Sequence, residues 1–235
     1  MKLRVTTAAE PDADRIAAVH MAAFGTNALL RAQFPSSNIR TKLWKCIAAK
    51  AAADIRDPNI AVLVVRDQED RIISFAKWSL PVTLEQDHGS YTEKPWRWPE
   101  GSNFPVLDEW AAKLERAHRN VLGETPSYPG ARQEALLTLF YPDLTFIGTD
   151  PQYERRGAAT ALIQWGLDRC CESGAPAYLE STLGAVQLYE RLGFKIRHRV
   201  SIVLEGAQSY EEACCVFQPR GTMLAGQGLS DGDNE

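Results

Sequence analysis

The chain has 235 residues, and its 26 Lys and Arg against 30 Asp and Glu leave a formal net charge of −4, which offers no general attraction to DNA, RNA or an anionic membrane. With 45% apolar and 24% charged residues the composition is that of a soluble globular protein able to bury a substantial core. Met1-Lys2-Leu3-Arg4 leads into a short mixed segment, and no run approaches the roughly 20 apolar residues that span a bilayer, so the expectation is a cytoplasmic protein without membrane or nucleic-acid partners.

In chain order, "LRVTTA" alternates like a strand, and "PDADRIAAVHMAAF" follows with Pro11 and Asp12 as helix start signals and Ile16, Val19 and Phe24 at helical spacing. After a loop around "FPSSN", the Ala-rich stretch "IRTKLWKCIAAKAAADIRD" predicts a helix that Asp57-Pro58 stops. "IAVLVVRDQEDRIISFAKWSL" holds two β-branched runs around the charged turn Asp67 to Asp70 and reads as a hairpin. Residues 81–135 break this rhythm. "LPVTLEQDHGSYTEKPWRWPEGSNFP" is rich in Pro and Trp, and "VLDEWAAKLERAHRNVLG" returns to a helical pattern. This is an insertion of the kind that forms lids or binding loops; Trp96 and Trp98 either wall an apolar substrate site or pack an ordered loop onto the core.

Regular structure resumes with the strand "LTFIGTD". A helix over "GAATALIQWGLDRCCESG" follows, with Ala159, Leu162, Ile163, Gly166, Leu167 and Cys170 on one face and Gly174 at its end. "APAYLES" reads as a strand, "GAVQLYERLGF" as a short helix closed by Gly193, and "KIRHRVSIVLE" and "ACCVFQP" as two final strands. From Arg220 the chain is small, polar and acidic, which predicts a disordered tail over 220–235 behind one domain over 1–219. The five cysteines (Cys46, Cys170, Cys171, Cys214 and Cys215) form no CxxC and stand beside no suitably spaced His; they read as buried structural thiols, and no metal site is expected. His20, His88, His118 and His198 are scattered and read as structural or surface residues.

The junction "PQYERRGAAT", between a strand and a helix, carries the chemistry. A helix start presents unpaired N–H groups and the positive end of the helix dipole, a natural seat for phosphate. Gly157 permits the turn, Ala158 and Ala159 keep side chains out of a ligand's way, Thr160 adds a hydroxyl, and Arg155 and Arg156 bring positive charge. The segment lacks both the GK[ST] ending of a nucleotide P-loop and the GxGxxG of a dinucleotide site. It resembles the acetyl-CoA loop of the GNAT superfamily of N-acyltransferases, whose pattern is Gln or Arg, two variable residues, Gly, one variable residue, then Gly or Ala. Here it reads Glu154-Arg155-Arg156-Gly157-Ala158-Ala159. Glu154 departs from the usual first residue, so its carboxylate must turn away from a pyrophosphate or pair with an arginine. "IGTDPQY" before the loop and "AYLES" and "LYERLGF" after it follow the superfamily's order, closely over residues 137–200. Within it, "PAYLEST" and "LYERLGF" look most similar to fungal and puromycin N-acetyltransferase-like members.

That resemblance implies an α/β (α+β) GNAT-like fold: a central mixed, mostly antiparallel sheet flanked by helices, in the order β-α-α-β-β-(insertion)-β-α-β-α-β-β. It implies that Ile147, Gly148 and Thr149 form a splayed strand that holds the pantetheine arm of acetyl-CoA, that Arg155, Arg156, Gly157, Ala158, Ala159 and Thr160 bind its pyrophosphate, and that Tyr189 protonates the departing thiolate. A phenol with a reference pKa near 10 suits such a leaving group. An alkylammonium must lose its proton before it attacks, and Glu180 in "YLEST" is the first candidate base, ahead of Glu85 and Glu134 at the borders of the insertion. Three functions follow from the sequence: acetyl transfer from acetyl-CoA to a small-molecule amine by a monomer or homodimer, acetylation of protein lysines or N-termini, and non-catalytic acyl-CoA binding.

Overall fold

The computed structural model describes residues 3–80, 96–122 and 142–219. Seven strands, β1 (Arg4–Thr7), β2 (Ile60–Arg66), β3 (Ile72–Ser79), β4 (Asp143–Thr149), β5 (Ala177–Thr182), β6 (Phe194–Val203) and β7 (Ser209–Phe217), form one sheet in the order β1-β2-β3-β4-β5-β7-β6. Every neighbouring pair is antiparallel except β4 and β5. A parallel pair needs a crossover, and the helix α5 (Ala158–Ser173) supplies it. The pair meets at Asp143↔Tyr178, at the start of both strands, and diverges beyond it. The carboxyl ends of β4 and β5 thus border an open crevice, the place where open sheets that contain such a switch bind ligands.

The helices cover both faces of the sheet. α1 (Ala13–Phe24) and α3 (Ser37–Ile55) set Ile16, Val19 and Ala51 against Val62, Val64 and Phe75, whereas α5 sets Leu162, Ile163 and Leu167 against Leu63, Val65, Ile73 and Trp78. Because β2 is buried on both sides, it reads as the unbroken apolar run "IAVLVVR" and not as an alternation. α6 (Val186–Arg191) packs on the α5 side. On the opposite face of β6 and β7 lie α2 (Ala28–Gln33) and α4 (Phe104–Leu122), with Leu29 and Trp110 against Val200, Ile202, Cys214 and Val216. No helix among the described residues is long and apolar enough to cross a membrane.

The element order agrees with the sequence reading, with local corrections. α2 lies in a stretch, residues 25–33, to which the sequence reading gave no element; Asn27 caps it by accepting from Leu29 and Leu30 N–H at 2.8 and 3.2 Å, a start signal followed by only six helical residues. Ser36 of "FPSSN" caps α3 through Ile39 N–H. Asp12 does not cap α1; its carboxylate instead takes the Ala9 N–H at 2.8 Å and holds Arg66 at 2.7 Å, tying the start of α1 to β2. The thiols of Cys170, Cys214 and Cys215 are buried as expected, but Cys171 is exposed and Cys46 partly so, because each follows its helix's polar face. The region expected as a tail, 220–235, lies outside the described residues.

Candidate active site

The junction after β4 is built by its own side chains. Asp150 caps the short turn Pro151–Tyr153 by accepting from Gln152 N–H and is fixed in turn by Arg15 at 2.8 Å. The chain then passes through Arg155 at φ 59° and Gly157 at φ 86°. Glycine takes that left-handed region without strain, and it starts α5 with no side-chain cap. Ser, Thr, Asp or Asn ordinarily occupies a helix start. Their absence leaves the first N–H groups of α5 to an outside acceptor, as a phosphate-binding helix start requires. Arg155, Arg156, Gly157 and Thr160 are exposed and Ala159 is partly so. Ala158 differs from expectation: it is 2% exposed and packs in the core beneath α5, so its smallness serves the helix–sheet contact. Arg156 donates to the Gln152 carbonyl at 3.1 Å and lies over the Tyr153 ring, which draws its charge close to the turn. Glu154 is exposed, consistent with a carboxylate turned outward.

On β4, Gly148 pairs with Phe75 of β3, and a Cβ at Gly148 would stand 2.9 Å from the Phe75 ring. Only glycine lets the two strands keep that ring between them. Ser74 Oγ donates to the Gly148 carbonyl at 2.9 Å and shares a hydrogen bond with Thr149 Oγ1 at 2.8 Å. Ile147, its neighbour, lines the main cavity.

That cavity, of about 430 Å³, brings together residues from most of the fold. Ile147 of β4, Glu180 of β5 and Tyr189 of α6 line it together. So do Trp96 and Trp98, whose rings stack at 4.7 Å; Trp98 tilts onto Phe34 at 5.4 Å, and Trp96 meets Phe146 edge-on at 5.7 Å. The two tryptophans thus pack on core rings, as one sequence reading has it, and at the same time line the cavity. Glu85 and Glu134 lie outside the described residues.

The titratable groups of the cavity are shaped by burial. Burial pushes the Glu180 carboxyl up to about 7, with the nearby Asp143 and Glu212 charges adding to the push. A carboxylate poised near neutrality is what a general base needs. Burial also pushes the Tyr189 phenol above its usual range; it stays protonated at working pH, as a proton donor must, but the match to a thiolate expected from the free phenol is shifted. His20 is held down to about 4 by burial among Phe24, Phe75 and Phe146 and is a neutral wall residue.

Two further groups escaped the sequence reading. Asn27 Nδ2 donates to Tyr210 Oη at 3.0 Å, and Tyr210 Oη donates to Glu212 at 2.5 Å, so α2 orients a second carboxylate in the cavity. Tyr210 and Glu212 alternate with Cys214 along β7, a signal visible in "YEEACC"; their meeting with Glu180 depends on the pairings Glu180↔Cys214 and Thr182↔Glu212, which place all of them on one sheet face. Beside Glu180 a smaller cavity of about 250 Å³ is bordered by His118, Asp143 and Tyr178. His118 Nε2 lies 3.2 Å from Asp143, which raises the pKa of the imidazole. No cluster of metal-binding side chains occurs among the described residues.

Residues 130–194 match the profile of the acetyltransferase (GNAT) family, a span that holds β4, the glycine turn, α5, β5 and α6. Over that span the chain is similar to the GNAT acetyltransferases. The seven-stranded GNAT sheet with its flanking helices is likewise that of solved structures. The C-terminal condensation domain of Ebony, in complex with β-alanyl-dopamine, superposes with a TM-score of 0.60 at 14% identity, over 93% of this chain and 99% of that one. A Corynebacterium glutamicum protein described as histone acetyltransferase HPA2 and related acetyltransferase gives 0.56 at 20% identity, over 93% and 97%. The Drosophila melanogaster polyamine N-acetyltransferase, which forms N-acetylagmatine, gives 0.56 at 13%, over 92% and 100%. At such identities the likeness shows the GNAT fold alone. No curated protein matches the chain in sequence.

Proposed function

We propose that this chain is an acetyltransferase of the GNAT family, which transfers the acetyl group of acetyl-CoA to the primary amine of a small molecule by direct attack within a ternary complex. The observation that carries the proposal is the convergence of Ile147, Glu180 and Tyr189, from three separate elements, on one cavity of about 430 Å³, a size typical of small-molecule sites. The uncapped, exposed start of α5 with Gly157, Arg155, Arg156 and Thr160 fits a diphosphate, and Ile147, Gly148 and Thr149 on the splayed strand fit the pantetheine arm. Acetyl-CoA supplies an activated acyl group when bound.

The chain's own residues do the rest. Glu180 accepts a proton from the ammonium, and the freed nitrogen forms the C–N bond as the C–S bond breaks. Tyr189 gives its proton to the departing sulfur and takes back the second proton that the nitrogen loses as the amide forms. No covalent enzyme intermediate is needed. The smallness of the acceptor is supported by the aromatic walls of the cavity and by the fold relative from Drosophila that acetylates a small amine. The test is thiol release from acetyl-CoA with free amines and with lysine peptides, alongside calorimetry of coenzyme binding. The proposal expects turnover with free amines. Turnover with peptides alone overturns the acceptor class, and the absence of coenzyme binding overturns the whole reading.

A further inference from the structure

The main cavity has two chemically distinct ends. One is a wall of flat rings, where Trp96, Trp98, Phe34 and Phe146 are held by mutual stacking and edge contacts. The other is acidic, with Glu180 and Glu212 on one sheet face and Glu212 oriented by the Tyr210 hydroxyl. Both tryptophans remain only partly buried although the residues behind them are core. They have ring surface still to cover.

We infer that the acceptor is a primary amine carried on a flat aromatic group by a short chain, its ring packed against the Trp96–Trp98 wall and its nitrogen placed between Glu180 and Glu212. Rigid aromatic walls favour a planar partner in offset or edge-on contact over a saturated one. A second cation at the ring end is disfavoured, because the cation–π positions there are already taken: Lys50 Nζ lies 5.7 Å from the Trp96 ring centroid and Lys77 Nζ 6.0 Å from that of Phe146. Asp54 pairs with both lysines and anchors them in place. A diammonium acceptor would have to displace one of these contacts to gain a cation–π partner at Trp96 or Phe146, whereas a neutral aryl group needs none. The cavity thus selects a molecule with one cationic end and one apolar planar end.

The inference rests on the acetyl-transfer reading only for the direction in which the nitrogen points, so the test reads binding apart from turnover. Three amines of similar size are titrated by calorimetry into the protein saturated with CoA: 2-phenylethylamine, its saturated counterpart 2-cyclohexylethylamine, and 1,6-diaminohexane. The expected order is phenyl tightest, by roughly 2- to 10-fold over cyclohexyl, and diamine weakest. Trp98→Leu, or Trp96→Leu if the first variant folds poorly, brings the phenyl-to-cyclohexyl ratio towards one, a ratio that a general loss of stability does not change. Glu212→Gln weakens the phenyl and cyclohexyl amines alike. Equal or tighter binding of the saturated amine or the diamine overturns the inference, as does the absence of binding by all three. Preferential binding of the phenyl amine without thiol release from acetyl-CoA sustains the ligand class and overturns the acetyl-transfer reading instead.

Discussion

Replacing Glu180 by Gln should stabilise the protein and disable it, and the two effects separate by pH. In the unfolded chain this carboxyl titrates near 4.5, and in the fold burial and neighbouring charges raise it to about 7. Between those values the folded protein keeps a proton that the unfolded chain has released. Stability therefore falls as pH rises from 4.5 through 7, and above 7 the full deficit is present. The interval corresponds to at most about 3 kcal/mol, reduced by the water that reaches a cavity-lining group. Gln keeps the shape without the charge, so Glu180→Gln should match the wild type near pH 4 and exceed it at pH 8 by up to about 3 kcal/mol, a rise of several degrees in Tm for a chain of this size. Loss of a general base lowers turnover by about 10²- to 10⁴-fold, and wild-type kcat should climb with pH to a plateau above 7. Denaturant melts of both proteins at pH 4.5 and 8, with thiol-release assays across the same range, make the test. A stability difference that ignores pH would show that Glu180 ionises like a surface carboxylate, and turnover retained in the variant would place the base elsewhere.

Tyr189→Phe removes one buried hydroxyl and should lower kcat by about 10²-fold or more while leaving the coenzyme Kd unchanged; calorimetry beside steady-state kinetics separates the two, and an unaltered kcat removes Tyr189 from the reaction. Gly157→Ala meets no steric obstacle, since the new Cβ would have only Leu3 Cδ1 at 3.9 Å, but the φ of 86° should cost about 1–2 kcal/mol and weaken coenzyme binding, as read by thermal melts and calorimetry. Gly166→Ala is the steric counterpart. Its Cβ would lie 2.3 Å from Trp78 Cζ2, against a ring that is fully buried and whose Nε1 donates to Leu162 O. An overpacking cost of about 1–3 kcal/mol should outweigh the roughly 1 kcal/mol helix gain of Ala over Gly, so chemical denaturation should show net destabilisation; a more stable variant would mean that Trp78 has room to move.

Local patterns on the chain carried the elements and half of the site. The doubly buried run "IAVLVVR", the helical face from Ala159 to Cys170 and the turn at Gly157 state their roles through periodicity, apolar content and the conformations that each residue tolerates, all of which act over a few neighbours. Glu180 and Tyr189 were legible through their motif segments. Tertiary structure alone decided what stands opposite them. Glu212 enters the site because β7 pairs with β5, Asn27 because α2 packs against β7, and the Trp96–Trp98 wall because a segment far along the chain folds back onto Phe34 and Phe146. Gly148 and Ala158 likewise owe their smallness to partners on other elements, the Phe75 ring and the sheet beneath α5. The titration of Glu180 near neutrality belongs to the same class. It arises from the exclusion of water and from charges 37 residues or fewer away in sequence yet on different strands, and desolvation is a property of the space a side chain occupies, which no local stretch of sequence encodes.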